Sequence, residues 1–285
     1  MSYCLATLQR RLLEWLADDA PHGDLTSELV VPRGLRAEAV VLAKSRGVAA
    51  CTWELAEALE GLGVEAEALV ADGSEVGPGD VVMRLRGEAR RILLVERTLL
   101  NLLIYLYGVA TTTRLYVERA RSVNPRIRVA ATRKYPPGLG CLAKRAVRAG
   151  GGDTHRFSLS DAILIKDNHI RLAGSVEEAL RRALAGRGFM HRVEVEVSTV
   201  EDAVRAAEAG ADVVMFDNMS PGEIGEAIEA LRARGLRGRV VLEASGGIDL
   251  DNIVEYARLD LDVVSTSRIT MNPVRVDLSL EVVKP

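Results

Sequence analysis

Aromatic residues make up only 4% of this 285-residue chain, so its core must be filled by Val, Leu, Ile and Ala rather than by stacked rings. Cysteine is nearly absent. Cys4, Cys51 and Cys141 are too few and too scattered for a disulfide framework or a zinc knuckle, and an intracellular, cytoplasmic protein is expected. Four histidines show no metal-ligand spacing. Gln9 is the single glutamine, and scarce amides fit a heat-adapted source as well as biased codon usage. Neither sign of charge dominates: 37 Lys+Arg face 40 Asp+Glu, a formal net charge of −3. That excludes the basic surplus of a general nucleic-acid binder but leaves room for a local cationic pocket. No long apolar run is present either. The longest uncharged stretch of interest, Thr98 to Thr113, is 16 residues between Arg97 and Arg114. It is short for a membrane span and reads as a buried helix. The first twenty residues carry charge in their opening helical turns and no apolar h-region, unlike a signal peptide.

What is present is globular in texture, with 48% hydrophobic and 27% charged residues. The length suits one large domain or two ordinary ones. The basic residues are lopsided: five of the 37 are lysine, leaving 32 arginines.

Residues 5–18 show helical apolar spacing that ends at Pro21 and Gly23. Strand-like alternation follows in 37–43, 65–70 and 80–85, with a helix over 52–62, so the first 85 residues or so read as an α+β unit with antiparallel strands. A long helix is expected over Arg90–Tyr107, ending at Gly108. After Pro125 the rhythm changes. Short β-branched runs at 128–132, 163–166, 192–197, 212–216, 239–244 and 262–265 alternate with helix candidates near 139–149, 175–186, 199–209, 221–234 and 250–257. Strand–helix alternation without a dinucleotide glycine fingerprint favours a parallel barrel over an open sheet. The alternating residues 276–280 can return to the sheet of the first domain.

Nearly every barrel strand ends in charged or hydroxyl residues: Arg133-Lys134, Lys166-Asp167-Asn168-His169, Glu196, Asp217-Asn218, Ser245-Gly246-Gly247 and Ser265-Thr266-Ser267-Arg268. In a parallel barrel these ends converge at one mouth. Buried charge is costly unless paired, so converging charges need partners or a polar ligand. Arg133, Lys134, His155, Arg156 and Lys166 suit carboxylate or phosphate. Glu196 and Asp217 on successive strands suit Mg²⁺ held through waters and substrate phosphates. Ser245-Gly246-Gly247 before a helix suits an anion. Together they describe a site for a phosphorylated sugar, a metal and a carboxylated second substrate. Taken singly, each has a plainer reading. Arg133-Lys134 can be a solvated loop pair, Gly150-Gly151-Gly152 a flexible linker, His155 and His169 core or surface residues, and Glu194 with Glu196 the wet face of a strand.

At these residues the chain resembles the quinolinate phosphoribosyltransferase family. The resemblance rests on Thr132-Arg133-Lys134-Tyr135-Pro136-Pro137-Gly138-Leu139, Gly150-Gly151-Gly152, His155-Arg156, Lys166-Asp167-Asn168-His169, Val193-Glu194-Val195-Glu196-Val197, Phe216-Asp217-Asn218 and Glu243-Ala244-Ser245-Gly246-Gly247-Ile248. Gly23-Asp24-Leu25-Thr26-Ser27 and Glu96-Arg97-Thr98-Leu99-Leu100-Asn101 extend it over nearly the whole chain.

The resemblance implies an α/β fold: an N-terminal α/β sandwich over residues 1–108, an incomplete TIM-like α/β barrel over 109–273, and a strand within 274–285 returning to the first domain. It implies the joining of quinolinate to phosphoribosyl pyrophosphate, giving nicotinate mononucleotide, pyrophosphate and CO₂ in de novo NAD synthesis. By the same resemblance Arg133, His155, Arg156 and Lys166 hold the two quinolinate carboxylates. Lys134, Glu196 and Asp217 handle phosphoribosyl pyrophosphate and Mg²⁺, the two acids through water. Ser245, Gly246, Gly247 and Ser267 adjoin the 5′-phosphate, and Lys134, Lys166, Glu196 and Asp217 form the catalytic set. Arg97 enters the site of a second subunit, so the working unit is a homodimer or higher homo-oligomer, with no nucleic-acid or membrane partner.

The chain departs from the family's usual pattern at Tyr135 (usually Thr), Gly140 (often Arg), Ser267 (usually Gly) and Ala50-Cys51 (usually Gly). Competing readings are a relative associated with molybdenum transport, a nicotinate phosphoribosyltransferase, a barrel lyase using Lys166 as a Schiff-base nucleophile, and a non-catalytic binder of phosphorylated ligands. Lys166-Asp167-Asn168-His169 favours the quinolinate enzyme over the first.

Overall fold

The computed structural model describes residues 3–284, so Met1, Ser2 and Pro285, which the expected domain boundaries include, lie outside the described residues. In chain order the elements are α1 (Tyr3–Asp19), α2 (Leu25–Val30), β1 (Arg36–Ala43), β2 (Gly47–Val48), α3 (Thr52–Glu60), β3 (Val64–Ala68), β4 (Glu75–Val76), β5 (Val81–Glu88) and α4 (Ala89–Arg121). Then follow β6 (Arg128–Ala130), α5 (Gly140–Ala149), β7 (Ile163–Ile165), α6 (Asp167–Ala173), α7 (Val176–Gly186), β8 (Val193–Val197), α8 (Val200–Glu208), β9 (Val213–Asp217) and α9 (Pro221–Ala233). The chain closes with β10 (Val241–Ser245), α10 (Ile253–Ala257), β11 (Val263–Ser265), α11 (Arg268–Met271) and β12 (Leu278–Lys284). Two compact units result. One comprises Met1–Arg114, Pro137–Gly151 and Pro273–Pro285; the other comprises Leu115–Pro136 and Gly152–Asn272.

The first unit is built on a four-stranded antiparallel sheet in the order β12-β1-β5-β3. In β1, Ala37, Ala39, Val41 and Ala43 are buried. Glu38, between them, pairs with Arg84 at 3.3 Å and Arg86 at 3.4 Å on β5. Period-two alternation thus gives one dry face and one face of cross-strand ion pairs. Cys51, in the expected Ala50-Cys51 departure, takes φ +59°. Its N–H donates to Asp72 Oδ1 at 2.7 Å, which holds a left-handed turn that glycine would adopt without strain.

The expected end of the long helix at Gly108 is corrected by the structure, because α4 runs on to Arg121. Gly108 is there for close approach: a Cβ on it would lie 2.3 Å from the carbonyl oxygen of Val274. Gly150 acts likewise, since its Cβ would lie 2.4 Å from Ala110 O, so this glycine run packs rather than linking flexibly. At 33 residues α4 is long and apolar enough to cross a membrane, longer than its sequence suggested, but 61% of its apolar window is buried.

The second unit carries all six expected strands in one parallel sheet, ordered β6-β11-β10-β9-β8-β7. The edge strands β6 and β7 do not pair with each other, so the barrel is incomplete. Val193, Val195 and Val197, Val214 and Phe216, Leu242 and Ala244, and Val264 fill its core. The helices begin where local chemistry dictates. Ser175 and Thr199 accept the N–H groups of Glu178 and Asp202, and Ser220 forms a capping box with Glu223 ahead of Pro221.

Candidate active site

The strands of the second unit are three to five residues long, so the chain reaches the sheet's C-terminal rim soon after each strand starts. At that rim lies a cavity of about 540 Å³. Every expected site residue of this unit lines it: Arg133 and Lys134 after β6, His155 and Arg156, Lys166 after β7, Glu196 in β8, Asp217 closing β9, Ser245, Gly246 and Gly247 at the end of β10, and Ser267 after β11. Arg97, exposed on α4, is not among the lining residues. Nor is Tyr135. Thr132, Asn218, Thr266 and Arg268 also line the cavity. They flank the expected residues, so adjacency in sequence was the available signal.

The cationic side is held under tension. Burial and the Arg133 guanidinium both press the Arg156 guanidinium below its ordinary range, because two like charges share a confined space. Arg156 Nη1 donates to Ala162 O at 3.1 Å, which fixes the arm. Lys166 is ion-paired through Nζ with Glu196 Oε1, and its side chain remains 45% exposed. A Schiff-base nucleophile must be desolvated and free to attack, whereas Lys166 is half-exposed and ion-paired.

The phosphate-type turn is built on two glycines. Gly246 takes φ +90° and Gly247 φ +66°. A Cβ on Gly246 would lie 2.3 Å from Asn218 Oδ1, whereas one on Gly247 would meet nothing within 4 Å. Gly247 O accepts from Asn252 Nδ2 at 2.9 Å, and Ser245 O accepts from Asn218 N at 2.9 Å, so the turn is braced from both sides. Such a turn presents backbone N–H groups to an anion.

Beneath the cavity lies a trio that sequence reasoning missed. His155 Nε2 is 3.3 Å from a carboxylate oxygen of Glu194 and 3.3 Å from one of Glu243. Glu194 is only 6% exposed, so the alternation of β8 does not make a wet face. Burial alone lowers the histidine, but the hydrogen bonds and charges of the two glutamates outweigh it and push His155 up to about 10. Burial raises Glu194, offset by His155 and reinforced by Glu243. His155 Nδ1 accepts the N–H of Arg156 at 2.8 Å, which requires a free lone pair there.

Two groups place ligating atoms within 4.8 Å of one another and could coordinate a divalent metal: Cys51, Glu54 and Asp72 in the first unit, and His155, Glu194 and Glu243 in the second. Both have competing commitments. Glu54 is ion-paired with Arg145, and burial together with Glu54 and Asp72 pushes the Cys51 thiol up, away from the thiolate a metal prefers. In the other group the imidazole proton already serves the carboxylates.

A late two-glycine turn for phosphate, set across one mouth from arginines and a lysine and beside two strand-end carboxylates, defines an enzyme of the α/β-barrel type that handles a phosphorylated sugar with an anionic second substrate. The chain matches the models "Quinolinate phosphoribosyl transferase, N-terminal domain" over residues 24–106 and "Quinolinate phosphoribosyl transferase, C-terminal domain" over residues 109–281. It is 47% identical over 270 residues to a probable carboxylating nicotinate-nucleotide pyrophosphorylase of Methanothermobacter thermautotrophicus, covering 94% of this chain and 96% of the relative. It is 36% identical over 275 residues to the carboxylating nicotinate-nucleotide pyrophosphorylase of Homo sapiens, covering 96% and 91%. The crystal structure of NadC from Streptococcus pyogenes superposes with a TM-score of 0.87 at 36% identity, covering 97% of this chain and 96% of that one. The chain belongs to the quinolinate phosphoribosyltransferase family.

Proposed function

We propose that this enzyme joins quinolinate to phosphoribosyl pyrophosphate, forming nicotinate mononucleotide, pyrophosphate and CO₂ in NAD biosynthesis. The observation that carries the reading is the gathering of Arg133, Arg156 and Lys166 with the Ser245-Gly246-Gly247 turn around a single cavity.

Quinolinate is a dianion, and the mutual repulsion of Arg133 and Arg156 is relieved when its carboxylates settle between them. Arg133, Arg156 and Lys166, with His155 beside them, hold those carboxylates. The turn holds the 5′-phosphate, with Ser267 adjoining, and Lys134 faces the departing pyrophosphate. As pyrophosphate leaves, positive charge grows at the ribose C1, and Glu196 and Asp217 are placed to tolerate it. Once bonded to C1, the pyridine nitrogen is quaternised; as CO₂ leaves, the electron pair stays on the adjacent ring carbon, stabilised by that positive nitrogen, and the carbon then takes up a proton. The chain's part is then to hold the reacting atoms in line, and no covalent enzyme nucleophile is required.

Glu196, near the end of β8, and Asp217, closing the neighbouring β9, offer hard oxygen donors, a set that fits Mg²⁺ held through water. When bound, the ion would neutralise charge on the pyrophosphate leaving group. Arg97, exposed on α4, is suited to enter the cavity of a second copy, which makes the working unit a homodimer with shared sites. A cytoplasmic location goes with the few cysteines.

The test is one assay with Mg²⁺, phosphoribosyl pyrophosphate and either quinolinate or nicotinate. The reading expects mononucleotide from quinolinate with an equal amount of CO₂. Product from nicotinate alone would replace it with a non-decarboxylating transferase, and binding without turnover would replace it with a binder.

A further inference from the structure

We propose that Glu243 is a positioning residue that joins the two halves of the cavity floor, fixing His155 on the dicarboxylate side and, through Ser265, the hydroxyl of Ser245 at the phosphate turn. The inference deepens the proposed function and rests on its assignment of the two halves. Glu243 sits in mid-strand on β10 and is 2% exposed. Its Oε1 accepts the Ser265 hydroxyl at 2.5 Å, and its Oε2 lies 3.3 Å from His155 Nε2. Ser265 Oγ is 3.0 Å from Ser245 Oγ. A hydroxyl has one proton, and Ser265 gives its own to the carboxylate, so Ser245 donates to Ser265. A continuous chain results: Ser245 to Ser265, Ser265 to Glu243, and His155 between Glu243 and Glu194. It spans β8, β10 and β11, with His155, Ser245 and Ser265 in the cavity lining and the two glutamates behind them.

Both ends of this chain act on ligand-facing groups. Ser245 has turned its proton inward, so engaging a phosphate means surrendering its bond to Ser265. His155 Nε2 is committed to the two glutamates and Nδ1 lies 2.8 Å from the Arg156 backbone nitrogen, so the glutamates set where the ring stands beside Arg156. A core that needed only filling would take an apolar residue here, as at Leu242 and Ala244 on either side, because a buried carboxylate is costly even when paired. Two half-buried networks would also have served two independent subsites; one shared carboxylate ties them together.

Steady-state kinetics of the full chain test this. Ser265→Ala is expected to raise the KM for phosphoribosyl pyrophosphate about fivefold with the quinolinate KM within about twofold. Glu194→Gln is expected to do the reverse, and Glu243→Gln to raise both KM values about tenfold. Glu243→Gln moving only one KM, or lowering the melting temperature with both KM values unchanged, overturns the proposal. A second readout needs neither turnover nor a Glu243 variant. In protein labelled with ¹⁵N-histidine, Ser265→Ala must move the ring resonances of His155 and leave those of His22, His169 and His191 in place. An unmoved His155 overturns the proposal even if the wild type turns over quinolinate. Absence of wild-type turnover defeats the proposed function instead.

Discussion

Lys166, immediately after β7, and Glu196, on the adjacent parallel strand β8, form an ion pair at the rim of the cavity. Glu196 is mostly buried, and Lys166 is the cation in direct ion-pair contact with it. Removing Lys166 leaves a buried carboxylate uncompensated, which is worse than removing both. Lys166→Met and Glu196→Gln are each expected to lower kcat/KM about a hundredfold. The double variant should fall well short of the product of the two losses. Full multiplicativity in purified, folded variants would show that the two act independently.

The phosphate turn yields a contrast between neighbours. Both glycines hold positive φ, so alanine strains either, at about 1 kcal/mol. Only Gly246→Ala also drives a Cβ toward Asn218. Gly246→Ala should therefore raise the KM for phosphoribosyl pyrophosphate more than Gly247→Ala and unfold at a lower temperature. Thermal melts with and without phosphoribosyl pyrophosphate read both effects. The opposite order would mean that Gly247, not Gly246, sets the turn.

The trio at His155 makes stability depend on pH. His155 is pushed up to about 10 from its ordinary 6.5, so it binds its second proton more tightly folded than unfolded, although that proton, on Nδ1, displaces the Arg156 N–H bond. That stabilisation is fully present below about 6.5 and is lost as pH rises through about 10. Urea unfolding of wild type and His155→Gln from pH 6 to 10 should show the wild-type advantage shrinking steadily. Parallel curves would mean that the histidine is not protonated in the fold.

Arg97 distinguishes a shared site from a private one. Arg97→Ala and Lys166→Ala chains should each be inactive, yet mixed dimers should regain up to about a quarter of wild-type activity, because one cavity in each heterodimer is intact. Strict absence of rescue in verified mixed dimers would confine each site to its own chain.

Much of this architecture is written locally. The six short β-branched runs and their alternating helices needed only periodicity, and the caps at Ser175, Thr199 and Ser220 needed only neighbours three residues away. The polar strand ends followed too, because a parallel sheet brings those ends to one rim. Gly108 misled because glycine ends a helix or permits close packing, and which of these it does depends on Val274, far along the chain.

The chain by itself determined the strand and helix rhythm, the scarcity of rings in the core, and the identity of the residues at the cavity mouth. These depend on contacts within a few residues. Only the tertiary structure decided that Glu194 and Glu243 close on His155 from two different strands, and that Ser265 carries the connection to Ser245. A buried glutamate and a solvated one look alike in sequence; burial and partnership arise only when distant strands are laid side by side.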